Sequence, residues 1–318
     1  MQLDKALLAY EIDLRAENKS PKTIRWYRHK LHYFADWLAR GDIGHVEDLR
    51  SEHIKGFLLY LGQLDQAIDG QHHLKGDGLS GFTRHGYAQV LKSFCRWLAR
   101  NGHLDRSPFD GVGMPKVERY VIQAFTDEDV RKMLRAAQKR RHAARDYAAV
   151  LLLYDTAIRA GELVRLRLED VDFEAGWLRV FGKGARERMV PLGQTARRAL
   201  WRYVTLSRPE PALPIMREVF LNERHEPLTD SGLWRVVREV AQAAGVNGKR
   251  LSPHTMRHAA AEAFLRNGGD AFALQKLLGH SSLTVTRMYV DLVATDLQDA
   301  HRRASPGDNL RVRRPNGA

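Results

Sequence analysis

Apolar residues recur at helical spacing through most of the chain. Leu3, Ala6, Leu7, Tyr10 and Leu14 fall on one face of a predicted helix over about residues 2–17. Asn18-Lys19-Ser20-Pro21 breaks the pattern. Ser20 and Pro21 then suit the cap and first position of a second helix, with Ile24, Tyr27, Leu31, Phe34, Trp37 and Leu38 turned inward. Its outer face is expected to show Lys22, Thr23, Arg25, Arg28 and Lys30. Gly41 to Gly44 is a turn. Ser51 and Glu52 start a third helix through Ile54, Phe57, Leu58 and Leu61. Ser80 caps a fourth, through Tyr87, Val90, Leu91, Phe94, Trp97 and Leu98. The polar, Gly-rich stretch 65–79 between them reads as a long loop. From Arg106 to Gln123 the periodicity lapses around two Pro and two Gly, which marks a linker. Residues 1–105 are therefore expected to form an all-helical domain, with 106–123 as linker.

The pattern then becomes mixed. Thr126 caps a helix whose first turn is acidic and whose apolar face begins with Val130, Met133 and Leu134. Residues 145–158 read as a buried helix. Trp177–Phe181 and Glu187–Pro191 alternate as strands around Gly182-Lys183-Gly184, a hairpin. A helix over about 195–206 follows, then a Pro-rich loop, a short strand at Val219–Leu221, and a helix capped by Thr229 or Asp230. Ser252 and Pro253 start another at His254. The expected class is mainly α: a helical first domain, an α+β second domain over 124–303 with a small antiparallel sheet, and a basic tail over 304–318.

Charge changes the picture. The 318 residues carry 51 Lys and Arg against 38 Asp and Glu, a formal net charge of +13. That balance favours a polyanionic partner, nucleic acid first. No apolar run reaches the ~20 residues of a membrane span, and the start lacks a signal-peptide layout, so a cytoplasmic protein is expected. The single cysteine, Cys95, excludes an internal disulfide and a Cys-based zinc site. His72-His73 lies in the loop without helical spacing, and neither metal nor cofactor is expected. His254 and His258 share zinc-like spacing, but no Glu follows His254.

The chemistry concentrates where an anion would be held. His254 and Arg257 lie three apart at a helix start, an end that attracts anions. Arg159 and Arg257 offer planar, permanently charged forks that match phosphate oxygens. Lys183 at the hairpin tip is a mobile ammonium. Tyr289 is a candidate nucleophile whose phenol, titrating near ~10, needs a base such as His254. His280 has an N–H for a phosphate oxygen. Glu162, three residues from Arg159, is expected to orient that arginine or His254, and His258 is read as structural. Lys22, Thr23, Arg25, Arg28, Arg84, Lys92 and Arg186 are candidate contacts to a phosphate backbone.

Taken together these segments resemble the tyrosine recombinase (phage integrase) family. The chain supplies Thr156-Ala157-Ile158-Arg159-Ala160-Gly161-Glu162-Leu163, Gly182-Lys183-Gly184, His254-Thr255-Met256-Arg257-His258, Leu278-Gly279-His280 and Tyr289, in the family's order. Asn18-Lys19-Ser20-Pro21-Lys22-Thr23 through Tyr27 resembles the SAM-like core-binding domain of Xer-like members. Ala157 stands where the family usually has Gly, and Met256 where Leu is commoner. The resemblance implies a metal-free and ATP-free site-specific recombinase. Its catalytic residues would be Arg159, Lys183, His254, Arg257, His280 and Tyr289, with Glu162 and His258 supporting. It would act on double-stranded DNA through a 3′-phosphotyrosyl link and a Holliday junction. The expected assembly is a homotetramer on two duplexes, or one shared with a paralogue, coupled through the segment Leu292–Arg303. Two other readings use the same residues: a type IB topoisomerase and a catalytically silent DNA-binding regulator. Charge alone would also fit a packaging protein.

Overall fold

Capping chemistry sets the helix boundaries almost everywhere the sequence suggested. In the computed structural model, which describes residues 1–64, 78–117, 123–182 and 186–279, α1 spans Leu3–Ala16 and α2 spans Pro21–Ala39. The Ser20 side chain accepts from the Thr23 N–H at 3.1 Å, and Pro21 sits in the first turn, where its missing N–H costs nothing. Helix α3 spans Ser51–Gln63 and α4 spans Gly81–Arg100, the latter capped by Ser80. The chain divides into two compact units, Met1–Tyr120 and Val121–Ala318, each with its own apolar core. Residues 65–77 of the expected loop and 118–122 of the expected linker lie outside the described residues.

The first core is aromatic. Phe34 meets Phe57 edge-on at 4.9 Å, Phe57 meets Tyr87 at 5.7 Å, and Tyr10 meets Trp97 at 5.3 Å. Such pairs add about 0.5–1.5 kcal/mol each beyond buried area. The Trp97 indole N–H donates to Asp13 at 2.6 Å, so its polar edge is satisfied.

Helix α2 departs from the expected pattern at one position. Lys30 is not on the exposed face but buried, 6% accessible, with its ammonium 3.5 Å over the Tyr87 ring and 5.4 Å from that of Trp26. The aromatic face accepts a cation that helical periodicity alone assigned to solvent.

In the second unit, Thr126 and Asp129 exchange side-chain and backbone bonds to cap α5, Asp127–Ala137. Helix α6, Ala143–Thr156, is buried on nearly all sides and packs against later helices of the same unit. These are α8, Gln194–Arg202, and α10, Pro253–Arg266. Helix α7 is short, Ala160–Val164. The sheet is antiparallel in the order β1 (Val171–Asp172), β2 (Trp177–Phe181), β3 (Glu187–Pro191). Val180 faces Arg188 across β2 and β3, and the Gly182 N–H closes on the Arg186 carbonyl at 2.8 Å. Helix α9 spans Asp230–Ala243 under a Thr229 cap, and α11 spans Ala271–Leu278 under an Asp270 cap. No helix among the described residues is long and apolar enough to cross a membrane.

Two expected elements differ. Val219–Leu221 is not a strand. Its backbone is shared out among loops, with the Val219 N–H on Leu166, the Leu228 N–H on Phe220, and Arg208 donating to the Val219 and Glu218 carbonyls. The helix from 194 ends at Arg202 and continues as a π-turn, Tyr203–Ser207, where the Thr205 hydroxyl donates back to the Trp201 carbonyl.

Helix α6 ends in Ala157 at φ 50°, ψ 22°, the left-handed region. That conformation costs an L-residue about 1–2 kcal/mol, but the Ala157 methyl is buried and recovers about 0.8 kcal/mol. Ala157→Gly is therefore expected to leave stability within about 1 kcal/mol of wild type in chemical denaturation. Ala157→Val, β-branched where φ is positive, is expected to cost more than about 2 kcal/mol.

Burial pushes the Lys30 ammonium down from 10.5 to about 8. Lys30→Met removes the desolvated charge together with its ring contacts, and should raise stability at pH 7 by about 1–3 kcal/mol. Between about pH 8 and 10.5 the unfolded chain binds the extra proton, so wild-type stability should rise with pH there and the Met variant's should not.

Candidate active site

Three helix ends meet around one carboxylate. After Ala157, Ile158 is buried and Arg159 turns extended, at φ −73° and ψ 153°, to start α7. Glu162 reaches back. Its Oε2 accepts from the Arg159 N–H at 2.8 Å and its Oε1 from Arg159 Nη1 at 2.9 Å. Arg188 on β3 grips the same carboxylate with both ends of its fork, Nη1 to Oε1 at 2.9 Å and Nη2 to Oε2 at 2.8 Å. The Glu162 side chain is 1% exposed, whereas that of Arg159 is 42% exposed. Burial alone would raise the Glu162 pKa. The Arg188 guanidinium, the Arg159 N–H and the Arg159 guanidinium outweigh it and hold the group at about 2.

Arg257 does different work from Arg159. It is buried, and its two terminal nitrogens donate to the Ala157 carbonyl and, at 2.7 Å, to the Leu278 carbonyl. It thereby joins the C-terminus of α6 to that of α11. Arg188 adds a second tie at the α11 end, its Nε donating to the Leu277 carbonyl at 3.1 Å. The last carbonyls of a helix lack intrahelical donors and carry partial negative charge, so guanidinium is a fitting partner. Gly279 caps α11 in the left-handed region at φ 63°. A Cβ there would lie 3.1 Å from three atoms of Arg188, so both the conformation and the close approach select glycine.

Ser252 caps α10, accepting from the Thr255 N–H at 3.2 Å, and the helix begins at Pro253, one residue before the expected start. His254 and Arg257, predicted to share a face, part company: His254 is exposed and Arg257 buried. The surrounding protein, then Arg257, Arg250 and Arg159, hold His254 below the ordinary histidine range. His258, one turn on, packs edge-on against it at 4.7 Å and is buried. Desolvation, His254 and Arg257 push His258 down to about 4. Both imidazoles are accordingly biased toward the neutral form.

Arg159, Glu162 and Arg257 are thus brought together, with His254 within their field. The Glu162 carboxylate accepts from both the backbone N–H and the guanidinium of Arg159. Lys183, His280 and Tyr289 lie outside the described residues. Arg188 was not singled out by sequence reasoning. The available signal was its register: it shares the inward face of β3 with buried Val190, an unusual place for a charge. No cluster of metal-ligating side chains occurs among the described residues. Of the candidate backbone contacts, Lys22 and Arg25 are exposed on α2, Thr23 serves the Ser20 cap, and Arg186 is exposed beside the hairpin tip. Arg28 is engaged by Glu11, Arg84 is half-buried, and the Lys92 ammonium lies 6.0 Å from the Phe109 ring.

The Glu162 carboxylate stabilises the fold only when ionised. Its folded pKa lies below the ordinary 4.5, so its contribution is complete above about pH 4.5 and is lost as pH falls toward 2. Glu162→Gln should cost about 3 kcal/mol in urea denaturation at pH 7, with the gap to wild type narrowing below pH 4.5.

A profile of the phage integrase family matches residues 123–295. The tyrosine recombinase XerD of Listeria innocua is 30% identical over 291 residues, covering 90% of this chain and 93% of the relative. The tyrosine recombinase XerC of Pelotomaculum thermopropionicum is 32% identical over 304 residues, covering 92% and 95%. Among solved structures, a lambda integrase dimer bound to a COC′ core site has a TM-score of 0.69 at 21% identity, covering 90% of this chain and 97% of that one. A lambda integrase tetramer bound to a Holliday junction has a TM-score of 0.68 at 20% identity, covering 89% and 79%. At those identities the structural likeness establishes the fold. The relatives, matched over nearly their whole length, establish the lineage: the chain belongs to the phage integrase family of tyrosine recombinases.

Proposed function

We propose that the chain is a site-specific DNA recombinase that cuts and rejoins strands through a covalent 3′-phosphotyrosyl link at Tyr289. The observation that carries this reading is Arg159, half exposed yet fixed through a buried carboxylate, in a chain whose family match spans Lys183, His254, Arg257, His280 and Tyr289.

The chemistry follows from the groups. Arg159 supplies permanent positive charge to the non-bridging oxygens of a phosphodiester, and Arg257, buried on the Ala157 and Leu278 carbonyls, adds to the positive field, which stabilises the five-coordinate transition state. Tyr289 oxygen forms a bond to phosphorus, and its proton passes to His254, whose lowered pKa favours the neutral form that can accept it. The bond from phosphorus to the 5′ oxygen breaks, and Lys183 protonates that oxygen. His280 donates to a non-bridging oxygen. The 5′ hydroxyl of a partner strand then attacks the phosphotyrosine and frees Tyr289. Each step exchanges one phosphoester for another, so neither a nucleotide nor a metal is called for.

The solved relatives bound to a core site and to a Holliday junction suggest how this chain would be used: dimers on one site, and four protomers on two duplexes. The Met1–Tyr120 unit would add DNA contacts through Lys22 and Arg25, and the net charge of +13 supports such contacts. A cytoplasmic location fits this role. The named relatives are recombinases, which favours strand exchange over a topoisomerase or a silent regulator.

Tyr289→Phe should bind DNA with wild-type affinity and form no covalent adduct on a nicked suicide site, read on a denaturing gel. An adduct in that variant would place the nucleophile elsewhere. Relaxation of supercoiled plasmid by the wild type, with no joining of two sites, would favour the topoisomerase reading.

A further inference from the structure

We infer that Arg188 is a positioning residue that locks the hairpin strand, the Arg159 turn and the end of α11 into one unit. The inference rests on the recombinase reading for its chemistry but not for its geometry. Arg188 spends its whole guanidinium edge on protein groups: both oxygens of Glu162, at 2.9 and 2.8 Å, and the Leu277 carbonyl at 3.1 Å. Its side chain is 14% exposed. It holds protein groups rather than offering itself to a phosphate, which separates its role from that of Arg159.

Its place in the chain gives the contacts their meaning. Arg188 stands five residues after Lys183, on the returning strand of the same hairpin. Leu277 stands three residues before His280 and twelve before Tyr289. Glu162 sets Arg159. One guanidinium therefore ties together the segments that carry the cation, the arginine and the nucleophile. Two glycines line this junction. A Cβ at Gly279 would meet Arg188 at 3.1 Å, and one at Gly182 would lie 3.7 Å from its Nη1 and 3.6 Å from Glu162 Oε1. A lysine at 188 would keep the charge but could not make three divergent planar bonds.

The test compares the full-length wild type, R188K and R188A. DNA affinity, single-turnover adduct formation at saturating nicked DNA, and hydrogen exchange of residues 271–279 without DNA are measured. Adduct formation should fall at least about 30-fold in R188K while affinity stays within about threefold, since only the placement of reacting groups is lost. Exchange over 271–279 should quicken about tenfold, with α1 to α4 unchanged. Millimolar guanidinium should restore R188A adduct formation at least several-fold and leave the wild type unaffected, a rescue that a generic loss of stability would not show. An R188K adduct rate within threefold of wild type would overturn the inference, as would unchanged exchange over 271–279. A wild type that forms no adduct on any candidate site would instead refute the recombinase reading. Exchange over 271–279 would then decide the role of Arg188 by itself.

Discussion

The second unit depends on a buried negative charge. Removing an unpaired carboxylate from water costs several kcal/mol even after relaxation. Glu162 is tolerated because three guanidinium bonds and one backbone N–H surround it. Charge-assisted bonds are worth about 1.5–3 kcal/mol each, so the sum exceeds the penalty only while both arginines stay in place. The dependence runs both ways. Arg188 is itself largely buried, and without Glu162 it would be a desolvated cation. A surface pair of the same residues would be worth little.

Around that charge the architecture solves a second problem, the unpaired backbone groups at helix ends. The Ala157 carbonyl ending α6 and the Leu278 carbonyl ending α11 both accept from Arg257, and the Leu277 carbonyl accepts from Arg188. The start of α7 is satisfied by Glu162 itself. Each of these groups would carry a desolvation penalty if left alone. The residues that shape the site are thus also those that finish the helices, so altering the chemistry without altering the fold is difficult in this region.

Much of this was legible in the sequence. Cap residues and apolar spacing located most helices to within a residue or two, because those signals are local: Ser20, Ser80, Thr126, Thr229 and Ser252 each accept from a backbone N–H three residues on. The partnership of Arg159 with Glu162 was also local, three residues apart. What escaped was long-range. Lys30 reads as solvent-facing until Tyr87, 57 positions later, supplies a ring to receive it. Arg188 reads as an ordinary strand charge until Glu162 and Leu277 converge on it. Arg257 reads as a phosphate fork, and nothing near it in sequence reveals that two carbonyls occupy its terminal nitrogens. Spacing tells which residues share a face, not which face another element will cover.

The doubly tied end of α11 has a consequence for the order of assembly. Its two guanidinium partners lie 89 and 21 residues upstream. Such contacts require the intervening chain to be gathered first, and their entropic cost is met late in folding. A partly folded chain can therefore carry paired β2 and β3 and a complete α10 while the end of α11 still has no anchor. Helix α11 gains a fixed end only once the rest of the unit is in place.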